Sequence, residues 1–258
     1  MRWPWWGRPR CVAKVEISGV INGAQRQRVL NALKVVKTRR YPALVVRIDS
    51  PGGTVGDSQE IYSALCALQP HTHIVASFGN IAASGGVYVG MGAPHIVANP
   101  GTVTGSIGVI LRGNNLEELL KKIGVSFKVV KSGPYKDILA FDRELTPEEH
   151  QILQQLIDVS YRQFITTVAT ARRLPLERVQ EFADGRIFTG EQALALGVVD
   201  RLGTEEDARR WACELAGLDP ERTPMRTIPG RPRSPLARFR NQALPWEYVG
   251  IPLWLYSP

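Results

Sequence analysis

Two glycine-rich segments combine groups that are suited to acyl-transfer chemistry. Ser84 lies within residues 82–86, Ala-Ala-Ser-Gly-Gly, where small neighbours are expected to leave its hydroxyl exposed at the start of a helix, and the Gly85 amide can point at the same place. Residues 49–53, Asp-Ser-Pro-Gly-Gly, form a predicted turn whose glycines allow backbone N–H groups to face an oxyanion. Each segment alone is also typical of packing in α/β proteins.

A serine nucleophile needs a base, and the histidines are poor candidates by position: His71, His73, His95 and His150. Lys136 is the alternative, because it lies in a Gly-Pro-containing turn after a predicted strand that ends at Val130. In such a turn a lysine could enter a cleft instead of a solvated helix face. A lysine acts as a base only as the neutral amine, which desolvation favours. Spacing alone does not distinguish Lys136 from a surface charge.

The elements that position these groups alternate between strand-like and helix-like patterns. Apolar runs or alternation predict strands at 11–18, 41–49, 73–78, 95–98 and 125–130. Helical spacing of apolar residues predicts helices at 24–38, 57–69, 82–93 and 115–123. Strands that alternate with helices indicate an α/β fold with largely parallel strands.

The pattern changes to helices in the C-terminal half. Thr146, followed by Pro and two Glu, caps a long predicted helix that runs to about Arg173. Thr189 begins a second helix in capping-box spacing, and Thr204 caps a third. From residue 220 to about 240, prolines and arginines predict a linker or a disordered tail.

The net charge of +8 is concentrated at the two ends of the chain. Residues 1–10 carry three Arg and no acid, and residues 222–258 carry six Arg and one Glu, so the body is nearly neutral. This distribution argues against a nucleic-acid groove and leaves solvated ends or contact with an acidic surface. The three cysteines are far apart and have no paired spacing, so neither a disulfide framework nor a zinc site is expected. We also expect no cofactor.

The ends are also rich in aromatic residues. Trp3, Trp5 and Trp6 lie among arginines, and residues 243–258 place aromatics between prolines, which is the composition of a peripheral membrane anchor; packing on the body is the alternative. No apolar run has the length of a membrane span, and the N-terminus has no secretory-signal core. We therefore expect a membrane-associated or cytoplasmic protein.

Several motifs together resemble the short, single-domain signal peptide peptidase A family. They are Ala-Ser-Gly-Gly at 83–86, Gly-Ser-Ile-Gly at 105–108, the Lys-Ser-Gly-Pro-Tyr-Lys-Asp run at 131–137 and Gly-Arg-Ile-Phe-Thr-Gly at 185–190. The spacing of 52 residues from Ser84 to Lys136 also resembles the serine-to-lysine spacing of that family. The match covers about residues 12–216.

The resemblance implies a role for each motif residue. Ser84 would be the nucleophile, Lys136 the general base, and Ser106 the hydroxyl that orients the lysine amine. Gly53 and Gly85 would supply the oxyanion hole. The expected activity is that of a serine endopeptidase with a Ser-Lys dyad that cleaves apolar, extended peptides, such as remnant signal peptides.

The resemblance also implies a Clp protease and crotonase-like fold of stacked strand-strand-helix units with a C-terminal helical part, and ring-shaped homo-oligomers. We divide the chain into a basic aromatic arm at 1–10, a peptidase domain at 11–219 and a Pro/Arg-rich and aromatic tail at 220–258. The sequence departs from many bacterial members because it has no N-terminal membrane span.

Three other functions compete with this interpretation. A Clp-type Ser-His-Asp peptidase would need a histidine about two dozen residues after Ser84, and residues 105–115 contain none. A crotonase-type acyl-CoA enzyme would not need Ser84, Ser106 and Lys136 together. A non-catalytic scaffold would not need an intact nucleophile and base, and labelling of Ser84 by a serine-directed reagent would separate it from an enzyme.

Overall fold

The computed structural model of the chain describes residues 9–230 and the backbone of residues 253–255. The strands are β1 Val12–Ser18, β2 Ala43–Ser50, β3 Gly52–Thr54, β4 His73–Ala83, β5 His95–Ala98, β6 Val103–Gly105, β7 Ile187–Thr189, β8 Arg201–Leu202, β9 Met225–Thr227 and β10 Leu253–Leu255. The helices are α1 Gly23–Arg39, α2 Val55–Cys66, α3 Gly85–Gly90, α4 Glu117–Lys122, α5 Pro147–Arg172, α6 Leu176–Gln180, α7 Gly190–Ala195 and α8 Glu205–Leu215. The predicted α/β class is confirmed.

The long strand β4 organises the main sheet. The main path runs β7-β6-β4-β2-β1-β9, and all its pairs are parallel except β6 with β7. The first half of β4 also pairs with β5, whereas its last residues, Ile81–Ala83, pair with β6. This division lets β6 end beside the carboxyl end of β4.

Both faces of the sheet are covered by helices. Residues 13, 15 and 17 of β1 belong to the larger hydrophobic core, together with residues of α1, α2 and α3. Val12, Val45, Val75 and Val97 face the other way and pack with Trp211 and neighbouring residues of α8. Burial on both faces explains the apolar runs at 43–46 of β2 and 74–76 of β4.

Three helices begin at the threonine residues that the sequence analysis named as N-caps. Thr146 accepts a hydrogen bond from the Glu149 N–H, and the Glu149 carboxylate accepts one from the Thr146 N–H, which forms a capping box at the start of α5. Thr189 and Thr204 begin α7 and α8 in the same way. The predicted starts of these three helices are confirmed.

Two segments differ from the sequence-based expectation. The predicted strand at 125–130 is wrong, because these residues form no regular structure and are exposed, with no neighbouring strand in the described part of the chain to satisfy their backbone groups. Conversely, the sheet continues beyond residue 219, because β9 pairs with β1 and Ile228 is buried in the larger core. The predicted linker therefore includes an ordered strand at its start.

Within the described residues, no helix has both the length and the apolar character needed to cross a membrane. Residues 1–8 of the basic aromatic arm at 1–10 lie outside the described residues, as does the aromatic stretch 243–258 apart from the backbone of β10.

Candidate active site

Ser84 occupies the junction between β4 and α3. Its φ of 51° and ψ of −116° lie where non-glycine residues are seldom found, so the surrounding structure must hold it in place. The Ser84 N–H donates to the Gly105 carbonyl at 2.8 Å, and the Tyr88 N–H donates to the Ser84 carbonyl at 3.0 Å. The strand-to-helix junction resembles, in its strained backbone, the turns that present nucleophilic serines.

The expectation that small neighbours expose Ser84 is wrong for this structure. Ser84 is only 1% exposed, although both flanking residues are small. The reason is that the whole of α3 is buried between the sheet and its neighbouring helices, so the junction is buried with it. Small residues here serve close packing.

The register of β4 and β6 places Ser106 next to Ser84 in the sheet. Ala83 pairs with Gly105 in parallel, so the two serines are the next residues along neighbouring strands. Ser106 also has a positive φ, 51°, and its N–H donates to the Arg186 carbonyl at 2.7 Å. With 9% exposure it is buried, and the structure therefore brings these two hydroxyl residues together.

The turn around Gly53 is closed so tightly that only glycine fits. A Cβ at Gly53 would lie 1.9 Å from the Ile21 carbonyl oxygen. The Ile21 N–H donates to the Gly52 carbonyl at 2.7 Å, and the Thr54 N–H donates to the Ile21 carbonyl at 3.0 Å. The Ser50 hydroxyl accepts the Gly52 N–H at 3.1 Å, which fixes the start of β3.

Helix α3 approaches this turn closely. A Cβ at Gly86 would lie 2.9 Å from the Ser50 carbonyl oxygen, and α3 contacts β3. The buried Gly85, at the first turn of α3, is therefore held on the same side of the sheet as the turn. The two candidate oxyanion donors, Gly53 and Gly85, lie on neighbouring elements.

Asp49 supports the geometry between the turn and Ser84, and our sequence reasoning treated it only as part of the turn. Its carboxylate accepts a hydrogen bond from the Ile81 N–H at 3.1 Å and one from the Asn80 side chain at 3.3 Å. At this position the register of β2 and β4 shifts between Ile48 and Ser50. The signal is an aspartate in the last residues of a buried strand, because such a side chain can accept a hydrogen bond from the next strand's backbone.

A cavity of about 640 Å³ lies between α2, α3 and α5, at the start of the segment that follows β3. Val55 and Gly56, which follow β3, form one wall, and Tyr88 and Arg162 contribute to others. The Tyr88 hydroxyl accepts a hydrogen bond from Thr167 at 3.2 Å, and burial raises the pKa of Tyr88. The cavity could receive a side chain of a peptide bound along β3.

Lys136 lies in a very different environment. It is exposed in the turn after Pro134, and its N–H donates to the Gly133 carbonyl at 3.3 Å. Among the residues that the structure describes, none accepts a hydrogen bond from the Lys136 amine. The fold of one chain therefore brings Ser84 and Ser106 together but does not pair Lys136 with them.

Lys136 belongs to a segment, residues 112–145, that we call the exposed arm. Many of its large hydrophobic side chains are exposed: Leu116, Leu119, Ile123, Val125, Phe127, Val129, Val130, Tyr135 and Phe141. Arg143 anchors the arm to α5, since its guanidinium donates to Glu149 at 2.5 and 2.7 Å and to Asp137 at 2.9 Å. An apolar surface of this extent is typical of an interface with another protein chain.

Comparison with known protein families identifies the family. The model for peptidase family S49 matches residues 67–219, which is more than half of the chain and includes Ser84, Ser106 and Lys136. The chain belongs to peptidase family S49. The resemblance to signal peptide peptidase A, first inferred from the motifs, is confirmed by the relatives below.

Two relatives show how far the family likeness extends. A candidate protease of Synechocystis sp., slr0021, is 58% identical over 99% of this chain and 100% of its own length. A candidate signal peptide peptidase of Enterococcus faecium, SppA, is 34% identical over 76% of this chain and 61% of its own length. The S49 likeness therefore includes a protein of matching length as well as a longer one.

The fold likeness reaches further than the sequence likeness. A point mutant of ClpP1 from Listeria monocytogenes aligns with a TM-score of 0.54 at 16% identity, over 76% of this chain and 93% of that one. At this identity the likeness concerns the fold alone. The expected Clp-like fold of this S49 chain is confirmed.

Proposed function

We propose that this S49 protease is a serine endopeptidase in which Ser84 is the nucleophile and Lys136 the general base. The observation that carries the proposal is the junction of Ser84: a strained, buried backbone next to Ser106 and close to the glycine turn of β3. Strain at a single non-glycine residue costs of order 1–3 kcal/mol, and it persists where the surrounding structure maintains it for function.

The proposed chemistry follows serine acylation. The neutral Lys136 amine accepts the proton of the Ser84 hydroxyl as Oγ attacks the peptide carbonyl, and the N–H groups of Gly53 and Gly85 donate to the oxyanion. Lys136 then donates the proton to the leaving amine, and an acyl-enzyme remains. Water, deprotonated by Lys136, then attacks the ester, and Lys136 returns the proton to Ser84 Oγ as the acid product leaves. Ser106 accepts or donates a hydrogen bond that orients the lysine amine.

Because Lys136 is exposed in one chain, we propose that a neighbouring copy supplies it. The exposed arm carries an apolar surface that a second copy would cover, and burial of this surface would desolvate the amine and favour its neutral form. A head-to-tail arrangement in which each chain receives an arm from the next closes into a ring.

We propose apolar, extended peptides as the substrates, including remnant signal peptides. A peptide can bind as an added strand along β3 with main-chain hydrogen bonds, while alternate side chains reach pockets such as the one next to Tyr88. The ends of the chain, with their arginines and aromatics, would bring this activity to a membrane surface, whereas no role with nucleic acid is proposed.

The test is covalent labelling and peptide hydrolysis with matched variants. Wild-type protein should react with a fluorophosphonate at Ser84 and hydrolyse an apolar fluorogenic peptide, and Ser84→Ala should lose roughly 10⁴-fold or more in kcat. Ser77→Ala is the control, because Ser77 is a buried serine on the same strand that donates no group to the site. Labelling elsewhere, or turnover by Ser84→Ala near the wild-type rate, would refute the assignment.

A further inference from the structure

The C-terminal segment of the chain forms a strand next to the candidate oxyanion turn. β10 pairs with β3 in antiparallel register, with Leu253 opposite Thr54, Trp254 opposite Gly53 and Leu255 opposite Gly52. The helix that follows Ser84, α3, contacts both β3 and β10. A segment near the end of the sequence therefore returns to the site, after a connection of residues 231–252.

The hydrogen bonds of β3 show which of its groups face this segment. Gly52 accepts from the Ile21 N–H, and Thr54 donates to the Ile21 carbonyl, so both residues direct main-chain groups away from β10. Successive residues of a strand direct their N–H and C=O groups to opposite edges. The N–H and C=O of Gly53 therefore face β10.

This alternation also determines the type of pairing. In an antiparallel pair, opposite residues whose main-chain groups face each other exchange two hydrogen bonds. Gly53 and Trp254 form such a pair, so the Gly53 N–H is directed at the Trp254 carbonyl. On the proposed function, this N–H is a donor to the oxyanion of the substrate. The carbonyl of Trp254 thus takes the place of a substrate carbonyl.

We propose that the C-terminal strand Leu253–Leu255 is a tethered competitor of peptide substrates for the edge of β3 that faces away from Ile21. The proposal rests on the assignment of β3 as the edge along which peptides bind. It is supported by the antiparallel direction, by the single register with Trp254 at Gly53, and by the contact with α3. Strand addition of this kind uses main-chain groups and tolerates many sequences.

Tethering gives the segment an advantage over free peptides. A segment joined covalently to its own binding site competes at an effective concentration of about the millimolar range. If it occupies the edge nine-tenths of the time, it raises the KM of a free peptide about tenfold and leaves kcat unchanged. Substrates that bind β3 strongly would displace it, and weak ones would be excluded.

The test uses the full chain and proline substitutions that remove one N–H each. Trp254→Pro removes the N–H that faces Gly53, whereas Leu255→Pro removes one that faces away from β3. Trp254→Ala keeps the N–H and controls for loss of the indole. We expect Trp254→Pro to lower the KM for an apolar fluorogenic peptide at least threefold, with kcat unchanged, and the other two variants to keep the wild-type KM.

Each other outcome contradicts the proposal. An unchanged KM in Trp254→Pro would show that the segment does not compete. Equal decreases in Trp254→Pro and Leu255→Pro would refute the register, and an equal decrease in Trp254→Ala would show that main-chain pairing does not hold the segment.

Amide exchange separates this proposal from the proposed function, because it needs no catalysis. In the full chain with Ser84→Ala, Trp254→Pro should speed the exchange of the Gly53 amide at least threefold relative to Leu255→Pro. Equal exchange together with active wild-type enzyme would overturn the tail proposal alone. Faster exchange together with an inactive wild-type chain would overturn the peptidase assignment and leave the pairing of β10 with β3 intact.

Discussion

The surroundings of Ser84 and the exposed arm that carries Lys136 differ in almost every physical property. Ser84 and Ser106 are buried at the ends of paired strands, and hydrogen bonds fix their backbones. Lys136 is exposed in a turn, among apolar side chains that no other part of the described chain covers. One half of the proposed site is complete within a single chain, and the other half is not.

The difference indicates which interactions stabilise each half of the proposed site. The Ser84 junction is stabilised by the hydrophobic core, so it should persist in an isolated chain. The arm leaves many apolar side chains exposed in one chain, and on the proposed function a neighbouring copy would cover them and organise the base. A change on the exposed arm should therefore reduce both assembly and activity. A change near Ser84 should reduce activity without altering assembly.

The strongest effect should come from a charge placed on the arm. The side chain of Val130 is fully exposed in one chain, so Val130→Asp should leave the fold of the single chain unchanged. At an interface, the same change should cost at least about 2 kcal/mol, or roughly 30-fold in the association constant. We expect smaller assemblies by analytical ultracentrifugation and a matching loss of peptidase activity at low protein concentration.

Asn114→Asp is the control for the arm, because it adds the same charge at an exposed polar position of the arm with almost no change in shape. It should keep both assembly and activity. If Val130→Asp keeps the wild-type assembly and activity, the arm is not the interface.

An intermediate effect is expected at Asp49, which lies near Ser84 in the half of the proposed site that one chain completes; we call this the preformed half. Asp49→Ala removes the acceptor of the Ile81 N–H and should lower the free energy of unfolding by about 1–3 kcal/mol. A small displacement of the Ser84 junction would also lower kcat, by up to about 100-fold. Asp49→Asn retains an acceptor oxygen and should have the smaller effect in both denaturant unfolding and kinetics. Equal effects of the two variants would contradict this role.

The smallest effect should be a pH dependence at the base of the arm. The Arg143 guanidinium lowers the pKa of Glu149 to about 2, and it also holds the pKa of Asp137 below its usual range. A carboxyl whose pKa is lower in the folded state stabilises the fold above its unfolded value, about 4.3 for Glu, and this contribution is lost as the pH falls toward 2.

Thermal unfolding of the wild type and Glu149→Gln between pH 7 and pH 2 measures this contribution. The wild type should have the higher Tm at pH 7, and the two Tm values should approach each other as the pH falls below 4. A constant difference across this range would contradict the role of the Glu149 charge.

The sequence could predict the preformed half because its signals are local. The glycines of the β3 turn and of α3 are required by approaches of less than 3 Å, and Thr146 begins its helix through neighbours three residues away. Each of these motifs specifies the backbone conformation of only a few consecutive residues, so it can be recognised in the sequence. The burial of Ser84 was missed because it depends on how α3 packs on the sheet.

The exposed arm and the tail could not be predicted in the same way. Residues 125–130 have the composition of a strand but no partner strand within the described chain, so composition alone gave the wrong result. The strand β10 follows a segment rich in proline and arginine, and its pairing with β3 joins residues about 200 positions apart. Contacts of such separation leave no periodic pattern in one sequence.

Complementation between two inactive variants tests most directly whether the site joins Ser84 of one chain to Lys136 of its neighbour. Equal amounts of Ser84→Ala and Lys136→Ala chains are unfolded together and refolded, and each variant refolded alone is the control. In a closed head-to-tail ring with random mixing, about one quarter of the sites receive an intact serine and an intact lysine. We predict recovery of about a quarter of wild-type activity from the mixture and none from either control. No recovery from rings verified to contain both variants would contradict the shared site.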